Sequence, residues 1–560
     1  LTITMPLHPL NILTTEEVEI TTAIVKKALP SKATVLRWVE VTLDEPSSRE
    51  DREYLLKESG AANFAISRRA LCVVYSRTLN TLYETIVEFS VDGDAVGGRI
   101  VDGPTLRPRV QPSLSGDEYA EVENFYRSYA PFVEALKKRG LKPEQIAIDI
   151  WCPGYFGPED GPDQRLAKPL FYVQGSQEEN LYSRPLEGIY SVFDLQRQQV
   201  VEFKDLAVVP VPAADAQSQW IPSPDLARTS VKPLHVTQPQ GPSFAVDQGN
   251  RVTWEGWEFR VGFTSREGLV LHTLTYADRQ PQLRARGAVP QKRPVAFRVS
   301  IAEMVVPYGD PKFPHYLKNA FDAGEDGLGK NAHTLAGNGC DCLGVMHYFD
   351  APLVDSVTGA AQVMERVVCM HEEDTGIAWK HMDWRTGHTE VRRGRQLIVS
   401  FICTVANYEY GFYYRLGMEG SIEVEVKLTG ILSTGALEGH ELEAAAAAAA
   451  APGASAAPLV GRKFGTVLSP TGVYAPIHQH FFVARIDTAV DGLANSVTEV
   501  EAVRSPKDPV ENPHDNAFFL ERTPLLSELA AVRDANAKRA RHWLVESGGG
   551  GGRGGGSGTG

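Results

Sequence analysis

The sequence predicts α+β modules at the N-terminal end, followed by a large antiparallel β-sandwich catalytic domain. Three observations support this fold class. Helix and strand signals alternate over roughly the first 200 residues. Proline-rich turns then break the pattern around Pro210–Pro224 and Gln238–Pro242. From Phe244 onward, alternating apolar and polar runs recur with turn signals between them, as in a sandwich. We place the domains at residues 1–97, 98–210 and 244–545, with a linker over 211–243 and a disordered Gly-rich tail over 546–560.

The elements of the first two modules follow from local signals. Thr14 followed by early glutamates and spaced apolar residues predicts a capped helix. Helix patterns recur from Gly116 and over Tyr129–Lys138. Short apolar runs between turn residues predict strands. These strands cover Val35–Leu43, Ala70–Tyr75, Val192–Leu195 and Val208–Val211.

In the predicted sandwich, the strongest strand signals are Arg251–Phe263, Leu397–Ile402 and Ser421–Leu428. The eight alanines of Ala444–Ala451 interrupt this pattern. Because they offer nothing to a strand ladder, we expect an inserted surface loop there.

Composition and charge exclude several classes of protein. The chain has 560 residues, and 56 basic against 70 acidic side chains give 56 − 70 = −14. That balance disfavours a nucleic-acid-binding protein, which needs a basic face. No run of about 18 apolar residues predicts a membrane span. Six cysteines in a chain of this length do not form a disulfide framework.

Three segments carry candidate chemistry. On a strand, His478 and His480 would project their imidazoles to the same face, which suits copper, iron or zinc, although solvated or structural histidines are the alternative. Tyr408 lies among four tyrosines of Asn407–Tyr414, where packing is the simplest role. Asp322, beside Ala323 and Gly324, is either a buried base or, more in keeping with its neighbours, a turn former.

Together these segments resemble the copper-containing primary amine oxidases of the topaquinone type. Asn407-Tyr-Glu-Tyr410 resembles the family motif whose first tyrosine becomes the quinone. The segment from Tyr308-Gly-Asp-Pro to Phe321-Asp-Ala-Gly-Glu325 resembles the part that holds the catalytic base. His478-Gln-His480 resembles the copper-binding pair. Further matching segments extend the resemblance over roughly residues 5–545.

The resemblance implies a role for each matching residue. Tyr408 would be the precursor of topaquinone, self-processed with copper and dioxygen. His478 and His480 would be two of three copper ligands. Asp322 would take the α-proton of the substrate, which requires a pKa raised by burial. Tyr308 and Asn407 would hold the quinone ring in its productive orientation. The family's internal disulfide corresponds to Cys342 and Cys369, with Cys340 left reduced.

The sequence departs from the family pattern at the third copper histidine. After His480 only His514 and His542 follow, and neither lies in the expected motif, so the third histidine is absent. We expect the C-terminal part of the domain to be truncated. The family's second divalent cation site, which would use Asp487, is then expected to be incomplete. A catalytically inactive homologue, acting only as a folded or dimerising module, is the alternative function. A hydrolase or oxygenase using the histidine pair is disfavoured by the tyrosine motif.

Two further departures bear on the substrate. Asp326 replaces a tyrosine common in the family, and Ala320 is a small residue near the base. A more acidic channel would favour cationic amines through electrostatic focusing. The resemblance also implies dioxygen as co-substrate and a homodimer. For location, a peroxisomal or cytoplasmic enzyme is favoured over an extracellular one.

Overall fold

The structure of the chain is a computed structural model. It describes residues 7–57, 66–92, 95–156, 161, 163–214, 228–247, 250–277, 291–335, 342–449, 463–469 and 471–548. Cys340 and parts of the predicted linker and Gly-rich tail lie outside these ranges.

The first module packs helix α1 (Thr15–Ala28) against a four-stranded antiparallel sheet, whereas helix α2 (Arg49–Lys57) buries Leu55 and Leu56 in a cluster with Phe297. As predicted, Thr14 caps α1. Its hydroxyl accepts from the Glu17 amide at 3.1 Å and the Glu17 carboxylate accepts from the Thr14 amide at 2.8 Å. The strands are β1 (Leu36–Leu43), β2 (Arg69–Ser76), β3 (Thr81–Asp92) and β4 (Ala95–Arg107), in the order β1-β2-β3-β4.

The second module repeats this layout with α3 (Gly116–Ser128) and α4 (Ala130–Lys137) on a second four-stranded antiparallel sheet. The predicted strand at Val208–Val211 is wrong, because the chain forms no strand there. Pro210 and Pro212 have no amide hydrogen to give to a ladder. The strands are β5 (Ile146–Trp151), β6 (Leu166–Val173), β7 (Ile189–Asp194) and β8 (Gln199–Asp205).

Two antiparallel sheets form the sandwich. The strands of the first are β9 (Ala245–Val246), β10 (Arg251–Trp254), β11 (Trp257–Thr264), β12 (Gly268–Ala277), β13 (Lys292–Pro307), β14 (Asn319–Phe321) and β23 (Phe481–Thr488). Their order is β14-β13-β12-β11-β10-β9, with β23 also pairing with β13. The strands of the second are β15 (His347–Val354), β16 (Ala361–Met382), β17 (Thr389–Val405), β18 (Tyr408–Gly417) and β19 (Ile422–Gly430), in the order β15-β16-β17-β18-β19.

The main hydrophobic core lies between these two sheets. Phe259 and Leu271 from one sheet and Val399 and Phe412 from the other are fully buried in the same cluster. Face-to-face packing of this kind buries apolar side chains that alternate with outward-facing ones along each strand. The predicted sandwich is therefore confirmed. The helices in the described part of the chain are all too short or too polar to cross a bilayer.

Smaller elements complete the described chain. The helices are α5 (Asp322–Glu325) and α6 (Gly439–Ala449). One small sheet contains β20 (Gly435–Ala436), β21 (Gly465–Val467) and β22 (Val473–Pro476). Another contains β24 (Asn495–Arg504), β25 (Phe518–Pro524) and β26 (His542–Ser547). Single 3₁₀ turns occur at Pro143–Gln145, Leu181–Ser183, His315–Leu317, Leu529–Ala531 and Ala537–Arg539.

The predicted alanine loop is wrong over its described part. Helix α6 runs through Ala444 to Ala449, because alanine has the highest intrinsic helix propensity. The domain boundaries stay predictions. Strand β4 continues to Arg107, past residue 97, which favours a later first boundary.

Candidate active site

A tight hairpin turn places Tyr408 in the core of the sandwich. Strands β17 and β18 pair from Val405 opposite Tyr408, so only Ala406 and Asn407 form the turn. Ala406 has φ of 52°, a strained value for a residue with a Cβ. Asn407 anchors the turn, since its side-chain amide donates to the Ile431 carbonyl at 2.6 Å and its own carbonyl accepts from the Ile431 amide at 2.8 Å. Two hydrogen bonds between Asn407 and Ile431 therefore hold the turn that carries Tyr408.

The close approach of Ile431 depends on the preceding glycine. Gly430 has φ of +87°, and a Cβ there would lie 2.8 Å from the Asn407 carbonyl oxygen. Only glycine adopts this conformation and leaves room for the turn. The end of β19 thus helps to hold Asn407 in place.

The Tyr408 hydroxyl lies against the histidine pair. It is 2.7 Å from His478 Nε2 and accepts from the Ser433 amide at 3.2 Å. The Pro476 carbonyl, 2.9 Å from His478 Nδ1, can only accept, so Nδ1 carries a proton. In a neutral ring Nε2 is then the acceptor, and the Tyr408 hydroxyl donates to it.

The two histidines face the same side, although not on a regular strand as predicted. They lie in the extended connection between β22 and β23, which belong to different sheets. Strand β22 ends at Pro476, and His478 makes a single bridge with Tyr308. The two ring centroids are 5.1 Å apart. Burial, and then His478, lowers the pKa of His480 to about 4, so its ring is neutral at physiological pH.

The imidazoles of His478 and His480 can supply two ligands to a copper ion. Neutral imidazole is a ligand that Cu(II) prefers, and both rings border the tyrosine that the metal would act on. Among the described residues, the one group of three or more histidine, cysteine or acidic ligand atoms lies elsewhere, at Cys342, Cys369 and His371. His542 begins β26, in another sheet, and its Nδ1 contacts the Ala540 carbonyl at 3.0 Å. A third imidazole beside the pair is therefore not found in the described part of the chain.

Tyr308, directly after β13, stacks on the ring of His478. Its ring lies 4.8 Å from the His478 ring with an interplanar angle of 16°, and the Trp151 ring meets it edge-on at 5.7 Å. Burial, and then the neighbouring Tyr408, raises the pKa of Tyr308 well above its usual value. Its hydroxyl therefore stays protonated and can donate a hydrogen bond.

Asp322 and Tyr408 line the same small cavity. The cavity has a volume of about 30 Å³, and Tyr308 and Asn407 also line it. The Asp322 side chain is 5% exposed. No hydrogen-bond or ion-pair partner of this carboxylate is found among the described residues. Burial, followed by the nearby Asp326, Glu325 and Glu303, raises the pKa of Asp322 well above its usual value.

Asp322 begins a turn and is also buried, and its role as a base stays a prediction. Its backbone carbonyl accepts from the amides of Asp326 at 3.2 Å and Gly327 at 2.8 Å, so it begins the turn of α5. At the same time its side chain lies buried at the cavity. Ala320, expected near the base, lines the same cavity.

Sequence reasoning missed three residues at this site: Lys318, Ser433 and Tyr119. The Lys318 ammonium donates to Ser433 Oγ at 2.8 Å and lies 5.0 Å from the centre of the Tyr308 ring. Burial lowers the pKa of Lys318 to about 8. Tyr119, from α3, reaches the cavity and donates to Asp326 Oδ1 at 3.0 Å. Tyr119 and Ser433 come from distant segments, whereas Lys318 lies between Tyr308 and Asp322 but carries no pattern of its own.

The other predicted sites lie apart from this cavity. The sulfur atoms of Cys342 and Cys369 are 3.3 Å apart, and the disulfide between them stays a prediction. The Asp487 carboxylate is held by Arg485 at 2.8 Å and Arg52 at 3.4 Å. Two guanidinium groups contact this carboxylate, and the incomplete second cation site stays a prediction.

Comparison with known proteins agrees with this geometry. Residues 245–549 match the copper amine oxidase enzyme domain, and residues 117–235 match the copper amine oxidase N3 domain. N-methylputrescine oxidase 1, peroxisomal, from Nicotiana tabacum is 44% identical over 96% of this chain and 68% of its own length. Primary amine oxidase from Arthrobacter sp. (strain P1) is 40% identical over 96% of this chain and 75% of its own length.

The same relationship holds among solved structures. The copper-containing benzylamine oxidase from Hansenula polymorpha superimposes with a TM-score of 0.74 at 30% identity, covering 92% of this chain and 76% of that one. The family models, the sequence identity and the fold agree over most of the chain. This protein belongs to the copper amine oxidase family.

Proposed function

We propose that this protein oxidises primary amines with dioxygen, using copper and a topaquinone formed from Tyr408. The balanced reaction is RCH₂NH₂ + O₂ + H₂O → RCHO + NH₃ + H₂O₂. One observation carries the proposal: a buried carboxylate with no partner in the described chain and a tyrosine that contacts an imidazole pair line one small cavity. A redox-active side chain, a base and a metal-binding pair are what this chemistry requires.

His478 and His480 would hold copper. Metal ligation requires neutral imidazole, the lowered pKa of His480 meets this requirement, and the pair borders Tyr408. When bound, copper supplies the redox chemistry with dioxygen that converts the tyrosine, and the quinone then serves as an electron sink for the amine.

Asp322 would accept the α-proton of the substrate on a carboxylate oxygen. Its burial and its acidic neighbours raise its pKa towards the range of a useful general base. Only the ionised form accepts a proton, so the rate should rise with pH as Asp322 ionises. The cavity, at about 30 Å³, has room for about one water molecule beside these side chains.

Tyr308 and Asn407 would position the reacting ring. The protonated Tyr308 hydroxyl is available as a donor, and its ring is fixed by stacking on His478. Asn407 restrains the turn that carries Tyr408, through two hydrogen bonds to Ile431. Neither residue is placed to accept a proton from carbon.

The remaining features are proposed from the family. Dioxygen is the co-substrate and a homodimer is the expected assembly. Because the tobacco relative is named as peroxisomal, a peroxisome is the proposed location, with the cytoplasm second. A second divalent cation at Asp487 is proposed only as an incomplete site.

One observation favours a second candidate function. The described residues bring two imidazoles, not three, to Tyr408. If two ligands hold copper too weakly, Tyr408 stays unmodified and the protein acts only as a folded or dimerising module.

Amine-dependent oxygen uptake, with peroxide measured in the same sample, tests the proposal. Copper-loaded protein should consume benzylamine and oxygen and form peroxide in equal amounts, whereas Tyr408→Phe should not. Tyr413→Phe, a buried tyrosine on the same strand, is the matched control and should keep the activity. Equal activity in the Tyr408→Phe variant would contradict the proposal.

A further inference from the structure

Two cysteines and a histidine meet beside strand β16, and none of them lines the cavity at Tyr408. Cys369 and His371 are two residues apart on β16, so their side chains project to the same face of the sheet. Cys342 comes from the segment before β15 and completes the group. One ligand atom from each of the three residues lies within 4.8 Å of the other two. We call these three residues the thiol cluster.

The distances within the thiol cluster are close to those around a tetrahedral zinc ion. The Cys369 sulfur lies 3.3 Å from the Cys342 sulfur and 4.0 Å from His371 Nδ1. With Zn–S bonds of about 2.3 Å and Zn–N bonds of about 2.0–2.1 Å, a tetrahedral ion separates two sulfurs by about 3.8 Å and sulfur from nitrogen by about 3.6 Å. Side-chain shifts of about 0.5 Å would therefore admit the ion.

The carboxylate of Glu373 orients the histidine for ligation. Its Oε1 lies 3.1 Å from His371 Nε2, and because a carboxylate accepts, Nε2 donates and Nδ1 faces the Cys369 sulfur. The Arg415 guanidinium holds the other oxygen of this carboxylate at 2.7 Å. A histidine that ligates a metal almost always donates from its second ring nitrogen to such an acceptor. A disulfide between the two cysteines would not require this orientation of His371.

The thiol cluster is buried on one side and accessible on the other. Cys369 is fully buried and His371 is 2% exposed, whereas Cys342 is partly exposed and leaves an entry path for an ion. Burial lowers the pKa of His371, but its hydrogen bonds to Cys342 and Glu373 raise it to about 9. A cation that binds here therefore displaces a proton, as metal ions generally do when they bind thiolate and imidazole.

We propose that the thiol cluster, when both cysteines are reduced, binds Zn²⁺ through the sulfurs of Cys342 and Cys369 and through Nδ1 of His371. Zinc prefers thiolate and imidazole ligands, and this set leaves the fourth position to water. A disulfide would remove both thiolates, so oxidation and zinc binding exclude each other. Where thiols stay reduced, zinc would join the segment before β15 to β16 in place of the disulfide. The inference does not depend on the proposed amine oxidase function.

Cobalt(II) tests the proposal, because it replaces zinc and absorbs in the near ultraviolet when thiolates transfer charge to it. Reduced, copper-free protein is titrated with Co²⁺ without oxygen, and Zn²⁺ is then added. The absorption band should saturate at a single equivalent of Co²⁺ and disappear on addition of Zn²⁺. Cobalt bound at His478 and His480 gives no thiolate band, so the readout distinguishes the two sites.

Single substitutions identify the ligands, with Zn²⁺ affinity measured by competition against a chelator. Cys342→Ala should abolish the band and lower the affinity by more than roughly 10- to 100-fold, the loss caused by changing a residue that only contacts a metal ligand. Glu373→Gln changes such a contact and should lower the affinity by roughly 10- to 100-fold while the band remains. Cys72→Ala, at a fully buried cysteine of the first module, is the matched control and should change neither.

Oxidised protein is the second control. Protein treated with an oxidant until Cys342 no longer reacts as a thiol should give no band with Co²⁺. Reduced parent protein without a band, or a band that persists in Cys342→Ala or after oxidation, would overturn the assignment. Because Glu373 is partly exposed, Glu373→Gln should fold even if Cys342→Ala does not, and unchanged Zn²⁺ affinity in that variant would also contradict the site.

Discussion

Replacing Asp322 by asparagine separates catalysis from folding at this site. The variant keeps the shape of the side chain but removes the base. A positioned general base contributes about 10²–10⁴ in rate. At about 1.36 kcal/mol per tenfold, the barrier should rise by about 2.7–5.4 kcal/mol. The Tyr408 and histidine contacts do not involve this carboxylate, so copper content and quinone formation should persist.

The same substitution should stabilise the fold. Burial raises the pKa of Asp322, so the folded protein holds this proton more tightly than the unfolded chain does. Stability therefore falls as pH rises from the usual pKa of about 3.9 through the raised one, since ionisation in the buried site is unfavourable. Removing the buried charge, while a polar amide stays in its place, should recover about 1–3 kcal/mol at neutral pH.

The assay measures both effects on one preparation. Phenylhydrazine titration counts quinone sites, anaerobic stopped-flow with benzylamine gives the rate per site, and urea unfolding gives the stability. Asp310→Asn is a burial-matched control, because Asp310 accepts from the Tyr474 hydroxyl at 2.9 Å and lies outside the cavity. It should not gain stability or lose the rate. A loss below tenfold per quinone site in Asp322→Asn would refute the assignment of the base.

Three further substitutions test other parts of the site. His480→Ala should lower copper affinity by at least roughly 10- to 100-fold, the loss caused by changing a residue that only contacts a metal ligand. Metal analysis measures the bound copper, and full copper content would contradict the role of His480 as a ligand. Tyr308→Phe should slow turnover by about 2- to 10-fold, the worth of one hydrogen bond, with copper content unchanged; loss of copper would instead show a structural role. Cys342→Ser should lower the free energy of unfolding of air-oxidised protein by about 3–4 kcal/mol, the loop-closure term for cysteines 27 residues apart, and peptide mapping without reduction should show Cys342 linked to Cys369 in the parent. Equal stability under reducing conditions is the control, and an unlinked pair after oxidation would contradict the disulfide.

The sequence predicted the elements that depend on interactions between residues close together in the chain. Thr14 and Glu17 form the predicted capping box, and the alternating runs around Leu397 and Ile422 form strands of the sandwich. The loop predicted for the alanine run was wrong, because alanine buries little surface but has a high helix propensity. The strand predicted at Val208–Val211 was wrong, because the two prolines there outweigh the apolar content.

The candidate site was predicted only where a motif lies in one segment. Tyr408, the histidine pair and Asp322 come from three segments, and their meeting at one cavity is a property of the fold. The bond between Tyr119 and Asp326 joins residues 207 positions apart. Lys318 carries no pattern that distinguishes it from a surface lysine. Contacts of this range depend on how the second module packs on the sandwich, which periodicity does not encode.

The most direct test of the account is to trap the quinone on Tyr408. Purified protein is incubated with copper and air and treated with phenylhydrazine, and the labelled peptide is mapped by mass spectrometry. The account predicts an adduct on the peptide that contains Tyr408, with none in a copper-free control. Folded, copper-treated protein that yields an unmodified Tyr408 peptide would contradict it.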